Sequence, residues 1–166
     1  MQEEIAEYEA LGFHEIKIET GIGSRVLVNE RKRRAVKFSQ APAYDQFVDV
    51  ARGSKLTCFP RIFLFERRVK PALSGQASYS VIEMELLRKL NAGEQEQVTR
   101  WVADVIGAKQ RGDKPPPDPL RLGKGLSLLQ TEATPRKVQL DIIKISNYLA
   151  RDRLCGTRIV FSDPFD

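Results

Sequence analysis

The stretch "LDIIKISNYLARDRLCGTRIVFSDPFD", residues 140–166, runs from a loop into short β segments and ends on an apolar run, Ile159 to Phe161, followed by two aspartates around a Pro-Phe pair. A frayed terminus is ordinarily polar and dispensable. This pattern predicts instead a buried strand that delivers a carboxylate, Asp163, to its end.

Working outward, the preceding region changes character twice. "GEQEQVTRWVADVIGAKQ" places Val98, Trp101, Val102, Val105 and Ile106 at helical spacing with charges on the other face. "RGDKPPPDPLRLGKG" holds four of the nine prolines and cannot continue a helix, so it reads as a surface loop. "LSLLQTEA" is expected to form a short helix.

The first half is richer in β signals. A helix is expected from Gln2 to Leu11, stopped by Gly12, with Ile5, Tyr8 and Ala6 as its apolar face. "HEIKIET" alternates as a short strand, "GIGS" makes a tight turn, and "RVLVNE" with "RAVKF" predicts a hairpin tipped by "RKRR" at 31–34. "APAYDQFVDVARGS" spaces Tyr44, Phe47, Val48 and Ala51 as a helix between Pro42 and Gly53, and "RIFLFER" and "SYSVIEMEL" add two strands.

The totals exclude several classes. At 166 residues with 42 % hydrophobic and 30 % charged side chains, the chain can bury a core as one domain or two small lobes. No apolar run approaches the roughly 20 residues that span a bilayer, and "MQEEIAEYEA" lacks the basic flank and apolar centre of a signal peptide. A cytoplasmic protein with no membrane partner is expected. Cys58 and Cys155 lack metal spacing and read as buried thiols, and the single histidine, His14, leaves little for a zinc site or a Ser-His-Asp relay. The net charge of +5 allows a polyanionic partner. Nucleic acid could be met through Arg31, Lys32, Arg33 and Arg34, although a solvated hairpin turn explains the same four residues.

Two further features bear on phosphate chemistry. Glycines in "TGIGSRVLVNE" let backbone N–H groups approach an anion closely. Lys37, flanked by Val36 and Phe38 in an alternating strand, offers a compact point charge.

Taken in order, a glycine turn, a hairpin, an apolar-flanked lysine, a helix and two strands resemble the small lobe of a protein kinase. Gly21, Gly23 and Val28 match the glycine-rich loop, "RAVK" the lysine strand, and "YSVIEMELL" the strand entering the hinge. "IVFSDPFD" resembles the strand and Asp-Phe-Gly element in the Asp-Pro form of the short serine/threonine kinases of lytic bacteriophages, and "LDIIKISNYLAR" resembles their catalytic loop. The resemblance covers about Gly12 to Asp166. It would also account for the chain finishing just after Asp163.

The resemblance implies an α+β, protein-kinase-like fold: a five-stranded antiparallel N-lobe over 1–90, with one helix packed on the sheet, and a truncated, mainly helical C-lobe over 91–166. It implies ATP and Mg²⁺ as cofactors, with Gly21, Gly23, Val28 and Lys37 binding nucleotide, Asn147 and Asp163 holding metal, and Asp141 as base beside Lys37 in catalysis. Lys37 and Asp163 would share a cleft, and Asp163 would be an exposed carboxylate carrying little packing. The implied partner is a host protein phosphorylated on Ser or Thr in the host cytoplasm. A catalytically inactive relative that binds a host factor is the alternative, and a small nucleic-acid-binding protein is a third. The chain departs from the family in several places, among them a shorter hairpin and the lack of the activation loop and late helices. Val26 replaces a third glycine, Asp45 and Asp49 are the only acids near the glutamate that would pair with Lys37, no His-Arg precedes Asp141, and one extra residue separates Asp141 from Asn147.

Overall fold

The computed structural model describes residues 1–17, 24–69, 77–153 and 156–165. They form two compact units: Met1–Gly53 with Arg61–Leu86, and Ser54–Pro60 with Leu87–Asp166. The fold is mixed α+β, with four α-helices among the described residues.

The first unit is built on one antiparallel sheet of five strands: β1 (His14–Ile16), β2 (Arg25–Asn29), β3 (Arg34–Ser39), β4 (Ile62–Arg68) and β5 (Tyr79–Glu85), in the order β1-β2-β3-β5-β4. The β2–β3 hairpin has the expected basic turn, with Arg33 left-handed at φ 52°. Asn29 shapes that turn, accepting from the N–H of Lys32 at 2.9 Å and donating to the carbonyl of Gly12 at 2.9 Å.

Strand alternation sends side chains to opposite faces. Leu27, Val36, Phe38, Tyr79 and Val81 form a buried cluster with Ile5 of α1 (Gln2–Ala10) and with Phe13. The expectation that 42–53 is the only helix on the sheet is therefore corrected. The α1 helix also packs there because Ile5 is buried, Tyr8 stacks edge-on against Phe38, and Glu4 accepts from Arg68 and Tyr79. Ala6, expected on the same apolar face, is exposed.

The other face meets α2 (Pro42–Gly53), which buries Tyr44, Phe47, Val48, Val50 and Ala51. Register fixes which strand residues face it. Ala35 pairs with Met84, Lys37 with Ile82 and Ser39 with Ser80. Met84, Lys37 and Ser80 all contact α2, through Tyr44 or Asp45.

The second unit carries α3 (Ala92–Arg111) and α4 (Gly123–Arg136) with a hairpin of β6 (Tyr148–Arg153) and β7 (Gly156–Phe161). A reciprocal capping box starts α3: Asn91 accepts from the N–H of Glu94, and Glu94 accepts from the N–H of Asn91, each at 2.9 Å. Left-handed Gly112 ends it. Val98, Trp101 and Val102 are buried as their spacing predicted, while Val105 and Ile106 are half-buried.

The α4 helix is longer than "LSLLQTEA" suggested. Its first N–H groups are capped from upstream, since the Asp118 carboxylate accepts from Leu122 at 2.9 Å and Gly123 at 2.7 Å. Gly125 lies against Cys58 Sγ and the Phe161 ring. Cys58 is a buried free thiol, and burial pushes its pKa up. Cys155 lies outside the described residues. Among the described residues, no helix is long and apolar enough to cross a membrane.

Candidate functional site

In the second unit the hairpin itself assembles the candidate residues. Tyr148 opens β6 opposite Phe161, which closes β7. One step beyond that pair, the N–H of Ser162 donates to the carbonyl of Asn147 at 2.8 Å, and Ser162 Oγ donates to the carbonyl of Ser146 at 3.2 Å. Two steps further, the N–H of Asp141 donates to the carbonyl of Pro164 at 2.9 Å, and Leu140 bridges Phe165. The loop before β6 and the element after β7 thus run side by side. Asp141, Asn147 and Asp163 come to one end of the hairpin.

The loop is closed by its own polar groups. Asn147, 6 % exposed, donates Nδ2 to the Asp141 carbonyl at 2.9 Å, and Tyr148 donates its hydroxyl to the Ile142 carbonyl at 2.8 Å. Asp141 Oδ1 accepts from the N–H groups of Ile143 at 3.0 Å and Lys144 at 3.1 Å. This is the turn-capping use of aspartate. The loop is tied together from Asp141 to Asn147, and Ile143 stands 75 % exposed at its crest. Burial, and then the negative charge of Asp141, hold the Tyr148 phenol well above its ordinary pKa.

Asp163 is half-buried, between buried Phe161 and Pro164. That corrects the expectation of an exposed terminal carboxylate: the hydrogen bonds of Ser162 and Pro164 draw this segment against the loop. Among the described residues no three His, Cys, Asp or Glu side chains cluster to hold a metal. The oxygen-bearing side chains at this hairpin end are those of Asp141, Asn147 and Asp163. Such a sparse, hard-oxygen set suits Mg²⁺, which is commonly held by one or two protein ligands plus substrate phosphates.

In the first unit, Lys37 is half-buried on the α2 face and its ammonium lies 3.3 Å from the centroid of the Tyr44 ring. Val28, 3 % exposed, pairs directly with Ala35, and Val26 pairs with Lys37, so both valines after the glycine turn share one face with the lysine. Gly21 and Gly23 lie outside the described residues. The two acids near the expected glutamate both bind Arg67 of β4: Asp49 at 2.9 Å and Asp45 at 3.3 Å, with Ser80 Oγ donating to Asp45 at 2.6 Å.

The basic run is divided. Lys32 donates to the Leu11 carbonyl at 3.2 Å and Arg34 stacks 3.1 Å from the Phe63 centroid beside Glu83, leaving Arg31 and Arg33 exposed at the turn. Two of the four charges are thus engaged within the fold.

The sequence did not single out Tyr44 as a contact of Lys37, because an aromatic at helical spacing reads as core. It also gave no sign of Arg151, a buried guanidinium that donates to the carbonyls of Thr57 at 2.7 Å and Phe59 at 2.8 Å and so holds the 54–60 segment in the second unit. No protein-family model matches the chain, and no curated protein matches its sequence.

Proposed function

We propose that the chain is a minimal kinase-like phosphotransferase that binds Mg·ATP and passes the γ-phosphoryl group to a Ser or Thr hydroxyl of a protein, a host protein if the chain is encoded by a bacteriophage. The observation that carries this reading is the pairing of the 141–147 loop with Ser162–Pro164, which gathers a carboxylate, an amide oxygen and a second carboxylate at one hairpin end.

Asn147 Oδ1 and the Asp163 carboxylate would hold Mg²⁺, which when bound neutralises charge on the phosphate oxygens. Asp141 Oδ1 braces the loop amides. Its other oxygen would accept the proton of the attacking hydroxyl as the new O–P bond forms and the bond to the β-phosphate oxygen breaks, releasing ADP. Lys37 would bind phosphate oxygens.

A second reading, a nucleotide-binding protein without transfer that engages a host factor, is favoured by the same capping role of Asp141. Radiolabelled ATP incubated with host lysate and either the unmutated protein or Asp141→Ala separates the two. Labelling by the unmutated protein alone, with ATP affinity preserved in Asp141→Ala, supports transfer. Equal labelling by both removes Asp141 as the base, and labelling by neither supports the binding reading.

A further inference from the structure

We infer that the loop between α3 and α4 is a docking strip for a partner protein whose groove is lined with aromatic side chains and rimmed with acids. Phosphoryl transfer plays no part in it.

Covalent geometry fixes the shape of the strip. In "KPPPDP", residues 114–119, each proline holds its own φ at about −65°, and Lys114, Pro115, Pro116 and Asp118 each precede a proline, which keeps them out of the helical region. Residues 114–118, which belong to no helix or strand, are accordingly a polyproline II segment. Both ends are anchored. At the first, the N–H of Asp113 donates to the Ala108 carbonyl at 2.9 Å, just past left-handed Gly112. At the second, the N–H of Arg121 donates to the Asp118 carbonyl at 3.2 Å, closing a turn, and the Asp118 side chain caps α4.

Exposure follows the three-residue period of such a helix. Pro116 is half-buried and seats the strip on the fold, while Lys114, Pro115 and Pro117 are exposed. A repeat of three puts Lys114 and Pro117 on one outward ridge and Pro115 on the other. Among the described residues no backbone hydrogen bond engages residues 114–117, so their carbonyls stay open to a donor. A groove of Trp and Tyr side chains suits this surface, because the rings stack on the prolines while their N–H and O–H groups donate to the carbonyls. Little conformational freedom is left to lose on docking.

Charge selects the rim of that groove. The two acids of the loop are spent inside the fold, Asp113 on Arg111 at 2.6 Å and Asp118 on the N–H groups of Leu122 and Gly123. Lys114, Arg121 and Lys124 are exposed around the strip. A surround of one sign favours a partner of the other.

Purified SH3 and WW domains, whose aromatic grooves read polyproline II, serve as probes and are titrated into the full chain by calorimetry, with duplex DNA and polyglutamate run alongside. Domains with acidic rims should bind. The double variant Pro115→Ala, Pro117→Ala should lose about tenfold or more in affinity, and Lys114→Glu a comparable amount. Added salt should weaken binding of the unmutated protein. Unfolding curves check that both variants keep the fold, and if the double variant is unstable, Lys114→Glu carries the test. Binding to none of the domains, or equal binding by the unmutated protein and the variants, overturns the inference. Equal binding of DNA or polyglutamate by the unmutated protein and the double variant, with no domain bound, also overturns it and makes the loop a plain basic surface.

Discussion

The N–H of Ser162 donates to the carbonyl of Asn147 at 2.8 Å, one step past the register that pairs Tyr148 with Phe161. That bond extends the hairpin beyond its last formal pair. It makes Asn147 and Asp163 near neighbours in the ladder although sixteen positions separate them in the chain.

Asn147 should accordingly be both structural and functional. Asn147→Ala removes the donor to the Asp141 carbonyl and should cost about 1–3 kcal/mol, the range for leaving a buried partner unsatisfied. Denaturant unfolding measures that loss. Calorimetry with Mg·ATP should show weakened binding in the same variant under conditions where it remains folded.

Gly125 is expected to tolerate no side chain. A Cβ there would collide with Cys58 Sγ and approach the Phe161 ring to 3.2 Å, so Gly125→Ala should destabilise by about 1–3 kcal/mol through overpacking. Cys58→Ala removes the sulfur. The double variant should recover part of the loss, a coupling that a denaturation cycle reads directly.

Arg88 holds Glu94 at 2.7 Å, and its hydrogen bond is the chief reason that the Glu94 carboxyl stays below its ordinary pKa. A carboxyl depressed in the folded state contributes stability that is present above the unfolded pKa, about 4.3 for Glu, and is lost as pH falls through the folded value. The stability gap between the unmutated protein and Arg88→Gln should therefore be widest near neutral pH and narrow on acidification below about pH 4. Thermal unfolding across pH 3–7 checks the sign.

Much of the β architecture was legible because its signals are local. "RVLVNE" and "RAVKF" alternate around a polar turn, and the apolar spacing of Tyr44, Phe47, Val48 and Ala51 marks α2 without ambiguity. The strand ending at Phe161 could be read from its apolar run, whereas its pairing with β6 as a hairpin could not. What escaped depends on distant partners. The start of α4 is set by Asp118 reaching forward to the N–H groups of Leu122 and Gly123, and α1 joins the sheet through Glu4, whose partners Arg68 and Tyr79 lie far along the chain. The Asn91 to Glu94 capping signal was present in the sequence but was passed over for the apolar run behind it. At the candidate site, residue types could be proposed from sequence. The capping role of Asp141 could not, since it depends on the loop's folded path.

Calorimetric titration of ATP, with and without Mg²⁺, into the unmutated protein and Asp163→Asn tests the proposed function most directly. The account expects Mg²⁺-dependent binding by the unmutated protein and much weaker binding by Asp163→Asn, with both proteins folded by circular dichroism, because the carboxylate couples metal to phosphate. No ATP binding by the unmutated protein, or equal Mg²⁺-dependent binding by both, would contradict it.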